Sequence, residues 1–332
     1  MVEGGPPHPG SLGERAGVWQ RYWATGASHS FAGSLPADYG STIGRFWAGV
    51  FDALPSGARV LDIGTGSGVL ARLWAGHPAH ATPGARLDAN DIVPTPAPWF
   101  ASLPPALRER IQFHPGTRAE ALPFASGSID LAISQYGLEY APMGPATAEL
   151  RRVLAPHGRI ALIAHHAHGA PARIAHADCR HAEWLDAPDG LLDLLESLLP
   201  LIAEGRSAEG RARLSASPEA NALRLRMNAV LGELVARAEQ PEADLCHEAL
   251  DAVKRQIALA QGGALDAALD GLRGWRQTLA DTRLRARELI ACALDEDGIA
   301  RFARQLAGPG QKAHWAPLFV DGTLLGWTLR ID

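Results

Sequence analysis

Lysine is almost missing from this chain of 332 residues: it occurs only at positions 254 and 312, so nearly all of the 31 basic residues are arginine. The 36 acidic residues outnumber them, giving a formal net charge of −5, and the two signs are interspersed. A nucleic-acid partner needs a basic face for the phosphate backbone, so none is expected. Arginine bias with abundant Ala and Gly reads instead as the mark of a GC-rich genome. Cysteine is scarce too. Cys179, Cys246 and Cys292 are odd in number and far apart, which excludes a disulfide framework and a CxxC zinc pattern and fits a reducing cytoplasm. No apolar stretch reaches the roughly 18 residues that a membrane span needs. The Gly- and Pro-rich start, Met1 to Gly13, lacks an apolar signal core, so residues 1–15 are expected to be a disordered tail.

The most informative run is Val60-Leu61-Asp62-Ile63-Gly64-Thr65-Gly66-Ser67-Gly68, an apolar strand entering a glycine turn and then the helix-forming Val69 to Trp74. Glycines at alternate positions let the backbone turn tightly and approach a ligand, and the N–H groups of the helix start face whatever lies above. A dinucleotide fingerprint requires a small third residue in G-x-G-x-x-G, and counting from Gly64 puts Val69 there. Counting from Gly66 fits through Gly68 and Ala71, but starts two residues late, which weakens an NAD reading.

Ala85 to Asp91 reads as a second strand, with Asp91 lying 23 residues after Gly68, where a carboxylate reaches ribose hydroxyls; Asp88, on the alternate face, is the rival. Arg110 to His114 is a third strand, Ser128 to Ser134 a fourth, and Ala148 to Ile160 a helix, a turn at Pro156-His157-Gly158 and the start of a fifth. Together the D-x-G-x-G-x-G turn, Asp91-Ile92-Val93-Pro94, Leu122-Pro123-Phe124, the segment Gln135 to Tyr140 and Leu150-Arg151-Arg152-Val153-Leu154 resemble, in order, the motifs of class I S-adenosylmethionine-dependent methyltransferases of the ubiquinone/menaquinone type.

That resemblance implies an α/β Rossmann-like, seven-stranded sheet closing in an antiparallel hairpin, with S-adenosylmethionine as cofactor. It places Asp62, Gly64, Thr65, Gly66 and Gly68 under the methionine portion, Asp91 and Ile92 at the ribose, and Ser134, Gln135 and Tyr136 near the methyl group. In the third loop Thr117 or Arg118, depending on the count, stands where the family has an adenine-contacting Asp. Backbone groups of Arg118 and Ala119, or the Glu120 side chain, are the candidates to replace it.

The remaining chain reads from pattern. Residues 16–57 form an N-terminal helical cap whose Trp19, Tyr22, Trp23 and Phe31 either contact substrate or anchor the segment on the sheet. Residues 58–176 are the core. Residues 177–305 are a helical insertion of four or five leucine-rich helices, serving as a lid or a homodimer surface, and residues 306–332 hold two apolar runs around Asp321-Gly322, a two-residue hairpin turn.

Methyl transfer is an in-line displacement that depends mainly on positioning and water exclusion. For acceptors that need a base, the candidates are His165 and His166 after strand five and Glu139 and Tyr140 after strand four. His165-His166-x-His168 and His176-x-x-Cys179-x-His181 have weak metal-site patterns, since adjacent histidines on a strand face opposite ways, and no metal is expected. The resulting expectation is methyl transfer to an O- or C-nucleophile of a small molecule. The alternatives are a peptide or protein methyltransferase that docks its substrate on the extra helices, and a non-catalytic cofactor-binding regulator, which the altered Thr117-Arg118 loop would suit.

Overall fold

The computed structural model describes residues 9–27, 30, 40–95 and 98–332; Phe31 and the first eight residues of the expected tail lie outside them. The chain divides into two compact units: residues 1–172 with 288–332, and residues 173–287.

The first unit begins with α1 (Leu12–Ala24), whose N-cap Ser11 accepts a hydrogen bond from the Glu14 N–H at 3.3 Å. The helix therefore begins inside the segment expected as tail, because Leu12 opens the amphipathic pattern that buries Arg15, Val18, Trp19 and Tyr22. There follow α2 (Gly40–Asp52), β1 (Arg59–Ile63), α3 (Val69–Gly76), β2 (Arg86–Asp91), α4 (Pro105–Arg108), β3 (Ile111–Pro115), β4 (Ile129–Gln135), α5 (Met143–Val153) and β5 (Leu154–His165). The sheet order is β3-β2-β1-β4-β5-β7-β6, with β6 (Ala313–Val320) and β7 (Thr323–Ile331) antiparallel to the rest at one edge. Asp321 and Gly322 both have positive φ, 49° and 78°, as a primed two-residue turn requires.

Strand residues alternate between the two faces, and because both faces of the central strands are covered, β1, β4 and the second half of β5 are mainly apolar. Val60, Leu131, Ile133, Ala161 and Ile163 pack with Ile43, Trp47 and Phe51 of α2 and Leu70 and Trp74 of α3. Leu61, Ile63, Ala132, Ile160 and Leu162 pack with Leu150 of α5 and with Ile299, Phe302 and Leu306 of α12 (Glu296–Leu306). Two sequence readings change here. Pro156-His157-Gly158 lies within β5, where the pairing with β4 slips between Ile129 and Leu131, so the expected turn is a bulged stretch of strand. And α12, assigned from sequence to the insertion, covers a face of the sheet as a core helix.

The second unit comprises most of α6 (Ala170–Leu185) and α11 (Leu265–Cys292), with α7 (Leu191–Glu204), α8 (Ala208–Ala216), α9 (Pro218–Ala238) and α10 (Asp244–Gly262) between them. Its core contains Leu191, Leu192, Leu195 and Leu199 of α7 with Met227, Leu234, Ala249, Val253 and Leu272. Among the described residues, no helix is long and apolar enough to cross a membrane.

Candidate active site

The turn after β1 is held from two sides. Asp91, at the end of the neighbouring β2, accepts the Gly66 N–H at 2.7 Å on one carboxylate oxygen and the Val93 N–H at 2.9 Å on the other. Thr65 donates its hydroxyl to Asp62 at 2.6 Å and its N–H to the Asn90 carbonyl at 3.0 Å. Side chains pack onto the turn: an added Cβ on Gly66 would fall 2.7 Å from the Trp23 ring, and one on Gly68 would fall 2.6 Å from the Trp99 ring.

This turn borders a cavity of about 240 Å³. Gly64, Gly66, Asp91, Ile92, Arg118, Ala119, Glu120 and Tyr136 line it, joined by Trp19 and Trp23 of α1 and by Tyr140. A smaller pocket sharing Gly64, Gly66, Trp23 and Tyr136 is lined by Asp62, Thr65 and Gln135. Gly68, Ser134 and Tyr22 line neither. Ser134 is a buried staple, donating to the Ile63 carbonyl at 2.7 Å and accepting the Leu138 N–H at 2.9 Å. Tyr22 stands edge-on to Trp19 and Trp23.

Of the four base candidates, Tyr140 lines the cavity; Glu139, His165 and His166 line neither pocket. Glu139 and His165 form a buried pair, the carboxylate oxygen accepting the His165 N–H and contacting Nδ1, each at 2.9 Å. The His165 ring packs on Tyr136 at 4.2 Å between centroids and edge-on to Tyr140 at 5.7 Å, so the pair supports two cavity-lining rings. His166 stacks on Trp327 at 4.4 Å, and burial together with the neighbouring His168 lowers its pKa. Burial pushes the Tyr140 hydroxyl well above the ordinary phenol range, assisted by Cys292, Glu139 and Glu288, so it is a donor and not a base near neutral pH. Among the described residues, no group of three or more His, Cys, Asp or Glu side chains is arranged to hold a metal ion.

Two carboxylates dominate the electrostatics. Desolvation raises the pKa of Asp62 to about 7 against the Thr65 hydrogen bond, with Asp91 adding to the rise, and desolvation also raises Asp91. Asp88 differs: against the desolvation of burial, His114 and Arg59, each at 2.7 Å, hold its carboxyl below the usual range, and it lines neither pocket. Sequence reasoning missed Leu12, Arg15, Ser30 and Asn90, which also line the cavity. Asn90 carried a signal, an uncharged polar residue inside an otherwise buried strand. Nothing local distinguished Arg15 from the other arginines.

Residues 61–162, just under a third of the chain, match the family model described as "Methyltransferase domain". No curated protein sequence matches the chain. Among solved structures, the Burkholderia thailandensis 1,6-didemethyltoxoflavin-N1-methyltransferase with bound 1,6-didemethyltoxoflavin and S-adenosylhomocysteine is 20% identical over 50% of this chain and 71% of that one, with a TM-score of 0.37. The [4+2]-cyclase SpnF is 20% identical over 48% of this chain and 63% of its own, at 0.37, and a geranyl diphosphate methyltransferase in complex with GPP and sinefungin is 17% identical over 44% and 53%, at 0.34.

Proposed function

We infer that this chain, whose residues 61–162 match a methyltransferase domain, is a class I S-adenosylmethionine-dependent methyltransferase that transfers a methyl group to a small molecule bound beside Tyr140 and α1. The observation that carries the reading is the cavity itself. It joins the glycine turn and Asp91 to a wall of Trp19, Trp23 and Tyr140, a shape suited to a compact, partly aromatic or lipid-like acceptor and not to a protein surface.

The residues fit the cofactor. Asp62 Oδ1, Asn90 Oδ1, Gln135 Nε2 and Tyr140 Oη are buried without hydrogen-bond partners among the described residues, and these side chains line the two pockets. Buried polar atoms left unpaired are costly, so their concentration marks a place where a polar ligand belongs. Asp62 and Gln135 would hold the amino-acid end and Asp91 the ribose diol. A carboxylate has about four lone-pair sites, so the two backbone N–H groups on Asp91 leave it room to accept more. Arg118, Ala119 and Glu120 would border the base. When bound, the cofactor supplies an electrophilic methyl group. The protein positions the acceptor against it, with Trp19 and Trp23 excluding water and the Tyr140 hydroxyl available to donate to an acceptor oxygen.

Titration calorimetry with S-adenosylhomocysteine and with NAD tests this. Binding of the former and not the latter is expected, and the reverse would sink the assignment. Asp91→Ala should weaken binding by about 1.5–3 kcal/mol, roughly ten- to 150-fold, whereas Asp88→Ala should leave affinity almost unchanged. A reversed pair of effects would transfer the ribose role to Asp88.

Affinity should also depend on pH through Asp62. An ammonium group pairs with the carboxylate, but the free protein holds Asp62 protonated below about 7, so binding releases a proton there and the dissociation constant should rise up to about tenfold per pH unit as pH falls. The sign for stability is opposite. A folded pKa raised above the unfolded 3.8 contributes stability that is present at low pH and lost as pH rises through about 7. Calorimetry in buffers of different ionisation enthalpy measures the proton released. Asp62→Asn should flatten both profiles, and a pH-independent affinity between 6 and 8 in the parent protein would refute the role.

The described residues that line both pockets belong to the first unit, and the helical unit is a separate body. We assign it to acceptor selection or self-association in a cytoplasmic enzyme. Replacing residues 173–287 with a short flexible linker should preserve S-adenosylhomocysteine affinity while altering turnover or molar mass; lost cofactor binding in a folded deletion variant would contradict this.

A further inference from the structure

We propose that the helical unit carries a second ligand site, separate from the methyl-transfer cavity, for a single-chain carboxylate: an acyl tail along α7 with its head group among three arginines. The site is a cleft of about 770 Å³ formed by α7, α8, α9 and the end of α10. That volume falls within the range of about 300–1,000 Å³ usual for small-molecule sites.

Its apolar wall comes from a division within α7. Leu191, Leu192, Leu195 and Leu199 are buried in the core of the unit, and Leu198, Leu201 and Ile202, spaced i, i+3, i+4 on another face, remain half-buried and line the cleft. Leu214 of α8 faces the same space. A stripe of this kind lies in contact with water unless something apolar occupies it.

Charge decides what that occupant is. Arg206, Arg211 and Arg224 line the cleft, and among the described residues none of them makes an ion pair with a carboxylate. Six other arginines of the same unit, Arg173, Arg213, Arg237, Arg273, Arg276 and Arg287, each make one, and none of those six lines the cleft. Glu204, the carboxylate closest in sequence to Arg206, is taken by Arg213 at 2.9 Å. Arg211 is held in place without being neutralised, since Nη1 donates to the Gly205 carbonyl at 3.1 Å and the Arg206 carbonyl at 3.0 Å. Arg224 donates to Asn221 Oδ1 at 3.2 Å, again a neutral partner. In a chain of net charge −5, three uncompensated guanidinium groups beside an apolar stripe complement an amphiphile with an anionic head, for which arginine offers forked, charge-assisted hydrogen bonds.

Sodium decanoate titrated into the full chain by calorimetry, below its micellar range, tests the proposal. Saturable one-to-one binding is expected, weakened at least about tenfold when Arg206→Ala, Arg211→Ala and Arg224→Ala are combined and largely restored by the corresponding Lys triple variant. These side chains are exposed, so the fold should survive; Leu201→Glu, which puts a negative charge on the apolar wall, provides a second variant and should also abolish binding. 1-Decanol should bind much more weakly than decanoate. Absence of saturable decanoate binding, equal affinity for decanol, or affinity unchanged in the triple Ala variant would overturn the site. Binding of decyl phosphate without binding of decanoate would overturn the carboxylate assignment.

Discussion

Glu288→Ala should release α1 from the core and with it much of the cofactor affinity. Glu288 is fully buried and meets α1 twice: one carboxylate oxygen pairs with Arg15 Nε, and the other accepts the Trp19 indole N–H at 2.9 Å. Arg15 also donates to the Tyr140 carbonyl at 3.1 Å, so a single ion pair ties the helix both to Glu288 and to the segment after β4. Burial raises the pKa of Glu288 above the ordinary carboxylate range, against the opposing pull of the Arg15 charge and of its hydrogen bonds with Arg15 and Trp19. Deleting one member of a buried pair leaves the other uncompensated and costs about 3–5 kcal/mol, far more than an exposed pair. The chain has a cheaper response than unfolding, which is to let α1 swing into water. The expected readout is therefore local: faster amide exchange across Leu12–Ala24, early proteolytic cleavage there, and weakened S-adenosylhomocysteine binding, because Trp19 and Trp23 leave the cavity wall. Glu288→Gln, which keeps an acceptor for the indole N–H, should fall between the two. Unchanged exchange protection of α1 in Glu288→Ala would refute the latch.

Gly64→Ala should destabilise the core unit by about 2–5 kcal/mol, combining about 1–2 kcal/mol for a left-handed non-glycine residue with about 1–3 kcal/mol for overpacking. Gly64 has φ +65°, and its Cβ would fall 2.9 Å from the Gly137 Cα and 3.3 Å from the Gly137 carbonyl carbon. These are backbone atoms with no rotamer to yield. Gly137 is constrained in return, since its own Cβ would fall 2.8 Å from the Ile63 carbonyl oxygen and 3.0 Å from that of Gly64. The β1 and β4 loops thus touch backbone to backbone beside the cavity, and a side chain on either would push them apart. Gly116 is the internal control: it has the same φ of +65° with nothing within 4 Å of a Cβ, so Gly116→Ala should cost only the conformational part. Denaturant midpoints of the two variants separate conformational strain from steric conflict. Equal losses would show that the loop contact is unimportant.

Local pattern was enough wherever one element governed its own geometry. The apolar runs of β1 and β4 were legible because buried parallel strands need no polar face, and the closing hairpin because Asp-Gly tolerates two successive positive φ values. The spacing of Asp91 from the glycine turn was legible too, since one strand–helix–strand unit sets it, although its contact with the Gly66 N–H was not. α12 escaped because its apolar face looks like those of the insertion helices, and amphipathicity records that a face is buried without recording what covers it. Glu139 and His165 stand 26 residues apart on neighbouring elements, so only the packed structure could show that they pair behind Tyr136 and Tyr140 instead of facing the cavity.

The sequence by itself therefore determined the glycine turn, the closing hairpin and most strand positions, because periodicity and turn chemistry are written within a few residues of one another, while the class of sheet and the expected cofactor came from its resemblance to class I methyltransferases. Tertiary structure alone decided that Arg15 joins Glu288 across 273 residues, that Asp88 is bound by Arg59 and His114 while Asp91 lines the cavity, and that three arginines of the helical unit line an apolar cleft without an ion pair among the described residues. The physical reason is common to all three. The state of a charged side chain depends on burial and on which opposite charge lies within a few ångströms, and chain folding sets both after local sequence has set the elements.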